Sequence, residues 1–232
     1  MVLCGGTHVE WSPSFDDLAN AYFPALRRIG FRVDAELKRW GWYPVGDGEI
    51  SCEIGMSPGT ARPNPIQIVD RGPLGQVAGT AVAANLPAHI PQRMADRARA
   101  SLDELGLRVN IVPWRVTAAC SGAGIFLVAR YENMAASFSA YGRLGRPSEA
   151  VADQAVAAFR EHHASDAAVE LHLADQLLLP LSFAAGISTF TTLRSTSHLM
   201  TNAWTIGQFA VADISIVPGT PCRVNVEPCK WR

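Results

Sequence analysis

Residues 76–131, QVAGTAVAANLPAHIPQRMADRARASLDELGLRVNIVPWRVTAACSGAGIFLVARY, hold the pattern on which the fold turns. The opening QVAGTAVAANL (76–86) reads as a strand. PQRMADRARASLDEL (91–105) reads as a helix, with Pro91 suited to a first turn and Gly106 to a stop. LRVNIVPWRV (107–116) and, past an SGAG turn, GIFLVARYEN (124–133) read as strands, and MAASFSAY (134–141) as a further one. One helix among strands makes this block a small α+β unit.

The flanks extend the same pattern. Upstream, 16–29 has Leu18, Tyr22, Ala25, Leu26 and Ile29 at helical spacing, with Ser14 as a cap and Pro24 as a kink or early break. FRVDAELKRWGWYP (31–44) and EISCEIGM (49–56) alternate as strands around a GDG turn at 46–48. The Pro- and Gly-rich 57–73 has no sustained period and marks a boundary, as does RLGRPS at 143–148. Downstream come a helix at 149–164, a strongly apolar helix at 169–186, and a strand, polar loop and helix over 187–209. Two short strands, ADISIV (212–217) and CRVNVEP (222–228), close the chain around a PGTP turn. The whole is an α+β fold with sheets covered by helices on one side.

The chain has 232 residues, 48% hydrophobic and 18% charged, with a formal net charge of −1. A near-neutral total does not advertise a polyanion partner, so any nucleic-acid contact must come from a local basic surface. Arg93, Arg97 and Arg99 share a helix; such a row is ordinarily a solvated face, with RNA contact as the alternative. The five cysteines (4, 52, 120, 222, 229) include no CxxC pair, which points to reduced, mostly buried thiols rather than zinc or disulfides. The start, MVLCGGTHVEW, lacks the pattern of a signal peptide, and no apolar run reaches the ~18 residues of a membrane helix. A cytoplasmic protein with no membrane association is expected.

Two constellations can carry chemistry. In His172-Leu173-Ala174-Asp175-Gln176, a helix puts His172 on the same side as Asp175 (i+3) and Gln176 (i+4). Either these polar groups satisfy one another or they line a site. In 195–202, STSHLMTN, His198 stands at a strand-to-helix junction, near backbone N–H groups that favour phosphate. Its imidazole is either a nucleophile or a hydrogen-bonded structural residue. Gly5-Gly6-Thr7 is a tight turn or a place of close ligand approach.

GGTHVEWSPSFDDL (5–18), GWYPVGDGEI (41–50), AANLPAHIPQR (83–93), HLADQLLLPLSFA (172–184) and STSHLMTNAW (195–204) follow the order and approximate spacing of one family. The chain resembles RNA 3′-terminal phosphate cyclases along essentially its whole length. The resemblance implies an EPSP-synthase-like larger domain of repeated βαβαββ units, here 1–69 and 169–232, with a small α+β domain inserted at 70–168. It implies ATP and a divalent cation (Mg or Mn) as cofactors, and RNA with a 3′-phosphate end as partner. His198 matches the histidine that takes AMP from ATP and passes it to the RNA 3′-phosphate; the 2′-hydroxyl then closes a 2′,3′-cyclic phosphate. His172, Leu173, Ala174, Asp175 and Gln176 match the ATP-contacting segment. His172 stands where Tyr is frequent, an imidazole able to stack on adenine, with Pro13 against the other face. Asp175 is expected to orient His198 or a metal-bound water; metal ligands are not assigned.

The resemblance also has gaps. Family members begin with about a further third of chain, carrying a GEGGGQ-like motif that does not occur here, and Asp47 stands where a Gly run is usual. The expectation is therefore a chain that starts inside the family pattern, with uncovered apolar surface and possible self-association. A non-catalytic RNA-binding or assembly module is the alternative to an enzyme.

Overall fold

A computed structural model describes residues 1–59 and 61–229. The chain opens with β1 (Val2–Gly5) and a helix in three pieces: α1 (Phe15–Asp17), a π-helical turn at Leu18–Tyr22, and α2 (Phe23–Arg28). Helical structure continues past Pro24, which stands in the first turn of α2. A proline ring clashes with the carbonyl four residues back, and the π-turn widens the helix just ahead of it. Asn20 Nδ2 donates to the Asp16 carbonyl at 2.9 Å within that turn. Ser14 caps the start as expected, in a reciprocal capping box with Asp17.

β2 (Phe31–Arg39) and β3 (Gly48–Met56) join β1 in an antiparallel sheet of order β1-β3-β2. β2 ends five residues earlier than its alternation predicts, after a bulge between Leu37 and Arg39. Residues 40–47 instead fold back as a loop in which Asp47 takes a left-handed φ of +53°, which Asp tolerates better than most residues. Paired residues share a face, so Leu3, Ile50 and Leu37 lie with Val33 and Ile54. α2 covers Val33; Leu3 and Ile54 stay exposed.

Next come β4 (Gln67–Ile68), β5 (Leu74–Ala84), α3 (His89–Asp103), β6 (Asn110–Val116), β7 (Gly122–Tyr131), β8 (Ala135–Tyr141) and α4 (Ser148–Ala164). β5 and β6 are parallel across the α3 crossover, and the sheet runs β6-β5-β7-β8. Its period-2 alternation divides two packings: Ala81 and Ala83 face Met94, Leu102, Val151 and Phe159 of α3 and α4. Val82 and Ala84 face Trp42 on the other side. α3 begins two residues before Pro91, which suits the first turn because N–H groups there have no helical partner.

The chain ends with α5 (Leu171–Leu181), β9 (Ser188–Thr192), α6 (Ser197–Gln208), β10 (Ala212–Val217) and β11 (Cys222–Pro228). The third sheet has the order β10-β11-β9-β4, with β4 parallel to β9. Leu177, Leu178 and Leu181 of α5 pack with Phe190, Val224, Leu199, Leu26 and Ile29, so α5 lies between this sheet and the first helix. α5 stops at Leu181, short of the predicted 186, with Ser182 as its C-terminal cap. The five cysteines are free but not mostly buried as expected: Cys222 is buried, Cys4 is exposed on β1, and the others are half-buried. Among the described residues no helix is long and apolar enough to cross a membrane.

Candidate active site

Glu170 precedes α5 and accepts hydrogen bonds from the backbone N–H groups of His172 (2.8 Å) and Leu173 (3.0 Å). A carboxylate there also faces the positive end of the helix dipole. Its other oxygen lies 2.9 Å from His172 Nδ1. Glu170 is 7% exposed, whereas the His172 side chain stands 84% exposed. The Glu170 hydrogen bond holds the His172 imidazole above its usual pKa.

Asp175 and Gln176 follow one turn later. They line a cleft of about 460 Å³ with Pro13, Tyr22, Leu179, Asn202, Ile206 and Phe209 among its walls. Burial pushes the Asp175 carboxyl up, and the charges of His198 and then His172 pull it back, so both imidazoles lie within electrostatic reach. Pro180, four residues on, offers no N–H to the Gln176 carbonyl, which faces this part of the helix. Leu173 and Ala174, 3% and 0% exposed, point into the core and fix the helix rather than line the cleft.

α6 presents His198. Thr196 is the N-cap and accepts the Leu199 N–H at 3.0 Å; Leu199 is fully buried and anchors the first turn. His198, second in the helix, is exposed beside the cleft and not part of its wall. Asn202, a turn later, donates to the Asp175 carbonyl at 3.5 Å and ties α6 to α5. An imidazole at a helix N-terminus, next to a half-buried carboxyl, is suited to attack an electrophilic phosphorus.

The GGT turn explains how Pro13 reaches this place. A Cβ on Gly41 would stand 2.4 Å from the Gly5 carbonyl oxygen and 2.5 Å from Gly48 N, so three backbone segments meet there. Gly41 O accepts from the N–H groups of Thr7 and His8 (2.9 and 3.0 Å). Gly41 N donates to Thr7 Oγ1 (2.9 Å), the Thr7 hydroxyl lies 2.8 Å from His8 Nδ1, and His8 Nε2 lies 2.9 Å from Asp16 Oδ2. One consistent assignment has Thr7 donating to Nδ1 and Nε2–H donating to Asp16. His8 is buried and stacked on Trp40 (4.3 Å between ring centroids). Gly41 and Gly48 thus serve packing, and the loop from 9 to 13 starts on a rigid base. Within that loop Trp11 takes φ +67° and is fully exposed. A left-handed bulky residue costs on the order of 1–3 kcal/mol.

The sequence did not point to Glu170, Phe209 or the His8 network, and it held Asn202 only as the end of the 195–202 segment; Glu170, two residues ahead of His172, left a local trace. Arg93 and Arg97 of α3 pair with Glu149 and Asp153 of α4 at 2.7 and 2.6 Å, and Arg99 with Asp96 at 2.6 Å. They form the solvated face rather than a free basic stripe.

The sequence model for RNA 3′-terminal phosphate cyclase matches residues 1–216. The chain belongs to the RNA 3′-terminal phosphate cyclase family. A protein of that name from Methylococcus capsulatus is 46% identical over 214 residues, covering 92% of this chain and 59% of the relative. The cyclase of Gloeothece citriformis is 41% identical over 216 residues (93% and 61%). That of Thermococcus onnurineus is 33% identical over 227 residues (97% and 65%). The chain therefore spans about three-fifths of the length of the cyclases it matches.

Proposed function

We propose that this chain carries the nucleotide cleft and the nucleophile of an ATP-dependent RNA 3′-terminal phosphate cyclase. The observation that carries the reading is the convergence of Asp175, Gln176 and Pro13 on one cleft beside the α6 N-terminus that bears His198. The apolar walls of Pro13, Leu179, Ile206 and Phe209 suit a flat purine, and Asp175 and Gln176 supply the few polar groups that orient it. His172, held by Glu170 one turn ahead of Asp175, is exposed outside the cleft lining, from where its imidazole would close over an adenine face.

His198 would attack the α-phosphorus of ATP, forming a P–N bond as the bond to pyrophosphate breaks. AMP then passes to an oxygen of the RNA 3′-phosphate and frees the imidazole. The 2′-hydroxyl attacks that phosphate, loses its proton and expels AMP, leaving the cyclic ester. Backbone N–H groups at the α6 N-terminus favour the developing negative charge. Among the described residues no three His, Cys, Asp or Glu side chains converge as a metal cage. A Mg or Mn ion would arrive on the phosphates of the nucleotide, as such ions commonly do.

The two main cores support an inserted arrangement: one is drawn largely from 21–68 and 168–226, the other from 77–159. They favour an EPSP-synthase-like layout with 1–69 and 169–232 in the larger domain and 70–168 inserted. ATP chemistry and five free cysteines fit a cytoplasmic setting. The open face bearing Leu3 and Ile54 favours, as a second reading, a chain that also assembles with itself or a partner.

End-labelled RNA with a 3′-phosphate, ATP and Mn or Mg test the reading. Cyclisation makes the terminal phosphate resistant to phosphatase, and the Asp175→Asn variant should slow it strongly. Resistance that develops without ATP, or equally in the variant, would sink the assignment of the cleft.

A further inference from the structure

We propose that a second cavity, on the far side of the loop that carries Pro13, is a docking subsite for the single-stranded RNA upstream of the reacting 3′ end. It measures about 500 Å³ and is lined by Glu10, Arg143, Leu144, Arg146 and Gln154 among others. The inference rests on the reading of RNA as substrate and adds a route for the strand.

Three observations carry it. The first is charge. The surface arginines of α3 and α4 are matched to carboxylates: Arg93 to Glu149, Arg97 to Asp153, Arg99 to Asp96 and Arg160 to Glu104. Arg143 has no such partner among the described residues, and Arg146 donates only to the carbonyls of Tyr141 (3.3 Å) and Ala150 (3.0 Å). The cavity thus holds two guanidinium groups that pair with no carboxylate among the described residues, with Glu10 as the acid in its lining. Guanidinium groups suit phosphate oxygens better than any other side chain.

The second is the loop. Glu10 lines this cavity and Pro13 lines the nucleotide cleft. Three residues of chain span at most about 10 Å, so the loop is a narrow ridge between the two. The third is Trp11, which crowns the ridge at 101% exposure in a left-handed backbone conformation. A large aromatic held out in water offers a platform for an unpaired base. A strand whose terminal phosphate lies beside His198 can cross Trp11 and rest its phosphates on Arg143 and Arg146. The α4 N-terminus, next to this cavity with Pro147 as a cap lacking any side-chain hydrogen bond, adds a favourable dipole.

The test uses fluorescence anisotropy of the 232-residue chain with single-stranded RNA ending in a 3′-phosphate, a dinucleotide against a longer strand. ATP-dependent labelling of the protein is followed separately. Trp11→Ala should weaken the longer strand by roughly 5- to 100-fold, the range of base–aromatic stacking. Arg143→Ala should flatten the slope of log K against log salt by about 0.7, as expected for one lost phosphate contact on a single strand. Glu10→Gln should tighten binding. Dinucleotide affinity and protein labelling should stay as in the parent chain. Equal binding of the longer strand by parent and variants overturns the subsite while leaving the RNA reading intact. A parent chain that is labelled by ATP yet binds neither RNA overturns the subsite and the RNA reading together. Loss of long-strand binding in the variants supports the subsite even where labelling is absent.

Discussion

His162 should make the fold sensitive to acid in a defined window. It lies on the buried face of α4, 4% exposed, between the rings of Tyr131 (5.8 Å) and Phe138 (5.7 Å), and its Nε2 has no hydrogen-bond partner. Burial, reinforced by Arg71 and His163, pushes its pKa down to about 4 from 6.5. The folded state therefore binds the proton only below about 4, while the unfolded chain binds it below about 6.5. Between these values the unfolded state holds more protons, so stability falls as pH falls; above them the group has no effect. Integrating between the two pKa values gives a loss of roughly 2 kcal/mol from pH 8 to pH 5. For a chain of this size that lowers Tm by about 4–8 °C. The perturbation is His162→Phe, which cannot take up the proton. Any repacking cost is the same at every pH, so the difference between variant and parent isolates the titration. Thermal or urea unfolding at pH 8, 6.5 and 5 should give a gap that moves by roughly 2 kcal/mol in favour of the variant. A gap constant across the three pH values would refute the buried, neutral histidine.

Thr196→Ala removes the cap beneath His198 and should cost about 1 kcal/mol of stability, with protein labelling by ATP slowed several-fold and restored by Thr196→Ser. An unchanged labelling rate would show that the cap does not position the histidine. Glu170→Gln should lower the His172 pKa, read by NMR titration, because its main support is the Glu170 hydrogen bond. The stability that this pair contributes is complete below the unfolded pKa of about 6.5 and is lost as pH rises through the folded value, so the substitution should matter less in alkali. Gly41→Ala forces a Cβ into backbone at 2.4 Å and should abolish folding or cost several kcal/mol, measured by circular dichroism. Ile54→Lys, on the open face of the first sheet, should reduce self-association by light scattering if that face mediates it.

Much of the fold was legible because the helices and strands follow their periods. α3, α4 and the strands β5 to β8 lie within a few residues of the pattern, and Ala81–Ala84 even divide between two faces as alternation requires. β1 was not legible, since Val2–Gly5 is exposed on both faces and has no alternation to read. β4 is two residues long and exists only through its pairing with β9. The continuity of the first helix past Pro24 depends on a π-turn, which side-chain spacing cannot announce. At the site, the i, i+3, i+4 spacing grouped His172, Asp175 and Gln176 on one side of α5; Asp175 and Gln176 line the cleft, while His172 is exposed outside its lining. The spacing could not separate Leu173 and Ala174, whose core position comes from packing against distant strands. Phe209 reaches the site through tertiary packing, whereas Glu170 is held locally as the N-cap of α5 and Asn202 follows His198 by one turn of α6. Glu10 and Arg143 line one cavity across 133 residues of sequence, a proximity that only the folded chain creates.

The central claim is that His198 accepts AMP. The direct measurement is incubation of the purified chain with ATP labelled at the α-phosphate, followed by denaturing electrophoresis and acid treatment. The account predicts a protein-bound label that is stable in alkali, released by acid, and absent from His198→Ala and strongly reduced in Asp175→Asn. A label that persists in His198→Ala, or none from a folded and monodisperse sample that binds ATP, would contradict it.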